Sequence, residues 1–140
     1  MGRSTTSLRL DDQLRKRLAA LAEAEGASVT SVVERLLREG LAIADHPGIV
    51  FKPGPSGRRA ALAGGADVWE IASALRRTSG PESERISTLA DEFGIHERQI
   101  VLALNYAAAH REEIETRIRA NDRALDEIER VAAQRKRLLA

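Results

Sequence analysis

Several kinds of residue are scarce in this chain, and each scarcity removes a class of function. There is no cysteine, which excludes disulfides, cysteine-ligated zinc and thiol catalysis. Aromatic residues make up 3% of the chain, so any core must be built from Leu, Ile, Val and Ala. No apolar run is long enough for a transmembrane span or a signal segment, and a cytoplasmic location without a membrane partner is expected. The formal net charge is only +1, so overall charge gives no argument for nucleic acid. The three histidines, His46, His96 and His110, stand in separate segments without the spacing of a metal site, and each reads as a cap or a surface residue. The serines lack a nucleophile-elbow setting, and the carboxylates occur as helix-surface pairs beside arginines. No catalytic site, metal, cofactor or small-molecule substrate is expected, and the chain does not read as an enzyme.

What is present is a pattern. With 43% hydrophobic and 31% charged residues in 140, the chain has room for one or two small domains. Residues 5–10 alternate with a period of two: Thr6, Leu8 and Leu10 share one face, and Thr5, Ser7 and Arg9 the other. Asp11 or Asp12 then caps a helix carrying Leu14, Leu18 and Leu21 to Gly26. Ser28 caps a second helix carrying Val29, Val32, Val33, Leu36 and Leu37, which ends at Gly40 or at Asp45 before Pro47. A lone strand leaves its backbone N–H and C=O groups unpaired, and two short helices bury little by themselves. A second copy solves both problems if the strands pair antiparallel and the helices cover the joint apolar face. The expected dimer core is Leu8, Leu10, Leu14, Leu18, Leu21, Val32, Val33 and Leu36. The polar faces then form a two-stranded ribbon of a size that fits the major groove of B-DNA. The rival reading is a solvated edge strand that packs on a later part of the chain.

The stretch TTSLRLDDQLRKRLAALAEAEGASVTSVVERLLREGL resembles the ribbon-helix-helix family, the Arc, MetJ and CopG type of bacterial repressor and antitoxin. The resemblance rests on the strand alternation, the Asp cap after Leu10, the Gly26-Ala27-Ser28 turn and the Val/Leu stripe of the second helix. It implies that Thr5, Ser7 and Arg9 meet base edges of an operator, and that Ser28, Val29 and Thr30 at a helix start hold a phosphate. Arg3 is expected to add a phosphate contact, within a basic excess made by Arg3, Arg9, Arg15, Lys16 and Arg17 against Asp11 and Asp12. The chemistry agrees with the assignment, since Arg forks onto guanine and a helix start offers free amides to an anion.

Past residue 45 the composition turns to Pro and Gly through residue 66, broken by Ile49, Val50 and Phe51, which read as a short strand or an arm. The Gly54–Arg59 region lacks the spacing of a phosphate-binding loop and reads as a turn. Asp67 caps a helix bearing Val68, Trp69, Ile71 and Leu75; Pro81 stands at the first turn of the next, bearing Ile86, Leu89 and Phe93; and a third follows His96 with Ile100, Val101, Leu104 and Tyr106. Residues 86–107 have a helix-turn-helix outline, but Glu82, Glu84, Asp91, Glu92 and Glu97 outnumber Arg85 and Arg98, and a packing unit that does not touch DNA is expected. Residues 111–140 contain neither Gly nor Pro and read as a long helix, with Ile114, Ile118, Leu125, Ile128, Ala132 and Leu139 near one seam interrupted by Asn121 and Arg135. This seam either meets a partner or, in its first half, packs back on its own domain.

Residues 46–118 as a whole resemble a small helical domain of bacterial antitoxins that accompany PIN-like toxins. The resemblance rests on His46-Pro47-Gly48, the Gly57-Arg58-Arg59 turn, Trp69, and the Tyr106 helix running into Glu113-Ile114. It implies that this half holds a partner protein, expected to be a cognate toxin, rather than catalysing anything; Phe51, Arg58, Arg59, Ile118, Leu125 and Ile128 are the candidates for that contact. The expected architecture is mainly α: a ribbon-helix-helix domain over residues 1–45, a linker over 46–66, a three-helix domain over 67–110 and a C-terminal helix over 111–140. The expected function is that of an operator-binding antitoxin. Two rivals stand beside it: a stand-alone repressor whose C-terminal domain mediates oligomerisation or sensing, and a protein-interaction module that does not bind DNA.

Overall fold

The computed structural model describes residues 2–140. Among them are six helices and one two-stranded antiparallel sheet, divided into a unit that ends at Ala44 and a unit spanning Asp45–Ala140.

The first unit is a pair of helices. Helix α1 (Asp12–Glu25) starts where the Asp11 carboxylate accepts a hydrogen bond from the Leu14 amide at 2.8 Å. It stops at Gly26, whose φ of 64° is readily adopted by a residue without a Cβ and turns the Gly26 N–H onto the Ala22 and Glu23 carbonyls. Helix α2 (Val29–Asp45) starts at Ser28, whose hydroxyl accepts from the Ser31 amide at 3.1 Å. It runs through Gly40 and ends at Asp45, the later of the two expected stops. Leu18, Ala22 and Val32 form the buried cluster between the helices, with Leu21 and Val33 packed against it. Arg35 on α2 clasps Glu25 at the end of α1 with two hydrogen bonds, at 2.6 and 3.1 Å.

The expected strand at residues 5–10 is not formed in the single chain: the segment carries no ladder and lies exposed. The physical reason is that a strand is defined by a partner, and the chain supplies none there.

The second unit begins with a hairpin where a linker was expected. Strands β1 (Ile49–Lys52) and β2 (Arg59–Leu62) pair antiparallel, with Ile49 opposite Leu62 and Lys52 opposite Arg59. A turn closed by the Gly57 amide on the Gly54 carbonyl at 3.0 Å joins them. Ile49, Ala60, Ala61 and Leu62 are buried. Helices α3 (Val68–Leu75), α4 (Glu82–Phe93), α5 (Glu97–Ala109) and α6 (Arg111–Leu139) complete the unit. Their core is Val68, Ile71, Leu89, Ile100, Ala103, Tyr106, Ile114 and Ile118, a helical core with Tyr106 as its one buried ring. Pro81 is the N-cap of α4, one residue before the helical position expected of it. Gly48 is fixed twice, by a φ of 102° and by Leu102, whose methyl lies 2.6 Å from where a Cβ would stand.

Candidate nucleic-acid interface

At the start of the chain, Thr5, Ser7 and Arg9 are exposed, and Arg9 adds its charge to a surface that carries Arg15, Lys16 and Arg17 on α1. Arg3, also exposed, reaches Glu34 of α2 at 3.4 Å. Ion pairs this open to solvent are weak, so Arg3 is readily exchanged between Glu34 and a phosphate.

The two helix starts differ in what they offer an anion. That of α1 is guarded by Asp11 and Asp12, whereas α2 has no acidic residue in its first turn. The amides of Val29 and Thr30 precede the first intrahelical acceptor, as at any helix start, and the end of the helix dipole adds positive potential. The Ser28 hydroxyl, expected at a phosphate, is already engaged in capping the Ser31 amide. Its accepting lone pair is used, but its O–H proton remains able to donate.

The apolar half of the pattern is what separates this unit from a finished domain. Leu8 is 66% exposed, and Leu10, Leu14 and Leu36 are open as well, although each was expected in a core. Leu18 and Val32 are buried inside the helix pair, and Leu21 and Val33 are half-buried. Leu37 and Leu41 extend the open apolar surface along α2. A small domain does not leave so many large aliphatic side chains in water on one pair of helices unless something covers them. A scan of known families finds that residues 4–44 match the family described as "Ribbon-helix-helix protein, copG family".

Residues 4–44 are a ribbon-helix-helix domain. The ribbon-helix-helix family is one of DNA-binding transcription regulators, typically dimeric. No curated protein and no solved structure matches the chain.

The candidates for partner contact lie in the second unit, and the structure uses most of them internally. Arg59 donates through Nε to the Asp67 carboxylate and through Nη1 to the Pro53 carbonyl at 2.9 Å. Asp67, 6% exposed, also accepts from Trp69 Nε1 at 3.1 Å. Arg58 donates to the Phe51 carbonyl at 3.3 Å, and its own carbonyl accepts from Arg117. Arg117 also donates to the Ser56 hydroxyl at 2.9 Å, so the hairpin turn is tied to α6. Phe51 packs edge-on to Tyr106 at 6.3 Å, and Ile118 is 2% exposed. These side chains build the unit. Of the six candidates, Leu125 and Ile128 alone are exposed.

Two features were not anticipated. One is the Arg59–Asp67–Trp69 network; the sequence signal for it was an acidic helix cap next to the only indole. The other is a ring cluster: Tyr106 stacks on His110 at 4.2 Å, and His46 stands edge-on to both, at 5.2 and 5.6 Å. The Tyr106 hydroxyl donates to Glu113 at 2.9 Å. His96, as expected, is a cap: its Nδ1 accepts from the Arg98 amide at 3.1 Å while Gln99 accepts from the His96 amide. Among the described residues no group of three His, Cys, Asp or Glu side chains is arranged to hold a metal ion, and no helix is long and apolar enough to cross a membrane.

Proposed function

We propose that the protein is a homodimeric operator-binding repressor, and that its second unit makes it an antitoxin by holding a protein toxin. The observation that carries the first half is the exposed Leu8 and Leu10 beside a helix pair with a three-residue buried cluster. A second copy that pairs residues 5–10 antiparallel buries both leucine faces. It also sets Thr5, Ser7 and Arg9 in duplicate along a ribbon of groove-fitting width. The test is fluorescence anisotropy with the protein's own promoter DNA. Arg9→Ala is expected to weaken binding by about tenfold or more, since each forked base contact contributes roughly 1–3 kcal/mol and the dimer carries two. An intact Arg9→Ala dimer with unchanged affinity would defeat the proposal.

The antitoxin half is supported by a groove in the second unit. It measures about 930 Å³ and is lined by Ser56, Asp67, Trp69, Glu112, Arg117 and Asn121, among others. Asp67, Trp69 and Arg117 are tied within the unit and form its walls, while Glu112, Thr116 and Asn121 of α6 add polar side chains to an open groove that suits a polar protein segment. Arg58 and Arg59 are committed to their own unit, so entry of either arginine into a toxin's acidic site is not part of the reading. Affinity purification of the tagged chain from its native host, with mass spectrometry and a read of bound DNA, is the deciding experiment. A small stoichiometric protein recovered with the promoter fragment is expected. Promoter DNA recovered alone leaves the repressor reading and removes the toxin.

A further inference from the structure

Among the described residues, every glycine from Gly26 onward except Gly40 has a local reason to be one: a positive φ, or an atom within 3.4 Å of where a Cβ would stand. Gly40 has neither. It lies inside α2, the only glycine in any of the six helices, and a Cβ added there would meet nothing within 4 Å. A glycine in a helix interior is less stable than an alanine, and no contact within the single chain offsets the difference. The residues three and four positions to either side surround it on the helix surface; they are Leu36, Leu37, Ile43 and Ala44, and all are exposed. By helical geometry Val33 falls within about 20° of Gly40, whereas Val32, which packs on α1, is turned roughly 80° away and Arg38 stands on the opposite side. Gly40 is thus the floor of a hollow with aliphatic walls, open in the single chain.

We propose that α2 of a second copy seats in this hollow: an aliphatic side chain of the partner's α2 lies over Gly40, and the two helices approach more closely there than any side chain at position 40 allows. The inference rests on the dimer proposed above and adds to it the point of closest approach. Insertion of one side chain among four of a facing helix is the elementary unit of close helix packing, and the distance between packed helix axes is set by the side chains at the contact. Two observations make the occupant a second copy. Residues 4–44 belong to a typically dimeric family, and the hollow is continuous with Val33 and Leu36, which the sequence places in the dimer core. Its walls carry no charge that would call for a partner of another kind. The hollow also selects partners, since a chain with a bulkier residue at this position cannot dock to the same depth.

Sedimentation of the full-length protein over a range of concentrations tests this. Gly40→Ala is expected to weaken dimerisation by about tenfold, and Gly40→Leu by more, because each fills a space that the partner needs. The same alanine is expected to leave the helicity of dilute, dissociated protein equal or higher by circular dichroism, since alanine favours a helix. Tighter helix and weaker dimer together are the signature; a glycine that only loosened α2 would give a gain in both. Arg38→Ala, on the far side of α2, is expected to leave association unchanged. In exchange with tagged wild-type protein, Gly40→Leu chains are expected to be recovered less than untagged wild-type chains. A Gly40→Ala dimer as tight as the wild type or tighter, or an Arg38→Ala dimer weakened equally, overturns the inference and leaves the dimer standing. Wild-type protein that stays monomeric at every concentration removes the dimer itself, and this inference with it.

Discussion

Asp67 shows how one residue holds several parts of the second unit. It stands at the N-cap position of α3 without capping it by its side chain, accepts instead from Arg59 on β2 and from the Trp69 indole, and is almost fully buried. Replacing it with alanine leaves a guanidinium and an indole N–H without their acceptor. Asp67→Ala is expected to destabilise the second unit by about 2–4 kcal/mol, read by thermal or urea unfolding. Glu70, one turn into the same helix, has the opposite character. Burial holds its carboxyl above the ordinary value, the Asp67 charge pushes the same way, and Arg59 and Lys52 partly offset both. A carboxyl raised in the folded state favours folding while it is protonated and loses that advantage as pH rises through its folded value. Glu70→Gln is therefore expected to raise the melting temperature near neutral pH, by roughly 1–2 °C because the site is largely open to solvent. The difference is expected to vanish below the ordinary glutamate range. Equal stabilisation at pH 7 and pH 3 would contradict the assignment.

At the scale of elements, helix ends were the most legible part of the sequence. Asp11, Gly26, Ser28 and His96 each act through their own backbone or side chain within a few residues, so local sequence is enough to place them. Asp11→Ala is expected to cost about 1 kcal/mol and to lower helicity in the first unit by circular dichroism, because the Leu14 amide loses its acceptor. The hairpin was half legible. Ile49, Val50 and Phe51 read as a strand or an arm, but the second strand, Arg59–Leu62, is two alanines, an arginine and a leucine, with little β-propensity of its own. It is a strand because Ala60, Ala61 and Leu62 pack against neighbours distant in sequence. The same holds for the ring of His46, which tertiary structure brings from a distant segment onto Tyr106 and His110 at the end of α5. Arg58 and Arg59 were misjudged for a related reason. Sequence shows a charge beside a turn, but not the Phe51, Pro53 and Asp67 acceptors that engage it.

For the whole molecule, the decisive property is that the first unit is incomplete as one chain. Leu8, Leu10, Leu14 and Leu36 are exposed in the single chain, and the proposed dimer would cover them, at roughly 25 cal/mol for each Å² of apolar surface removed from water. If the proposed dimer forms, folding of residues 4–44 is coupled to dimerisation, and its melting temperature is expected to rise with protein concentration. Differential scanning calorimetry over a hundredfold concentration range checks this; a fixed midpoint for every transition would contradict it. The second unit has its own core, so its transition is expected to respond much less.

The unburied half of α6 also bears on how long the protein survives in a cell. It offers Arg119, Arg123, Arg130, Arg135, Lys136 and Arg137 to a protease with a taste for basic residues, on a helix whose opening disturbs no core. Cleavage rate follows the population of the opened helix, and any occupant of its apolar stripe, where Leu125 and Ile128 are exposed, lowers that population. Proteolysis of this helix is therefore expected to slow whenever its apolar stripe is covered.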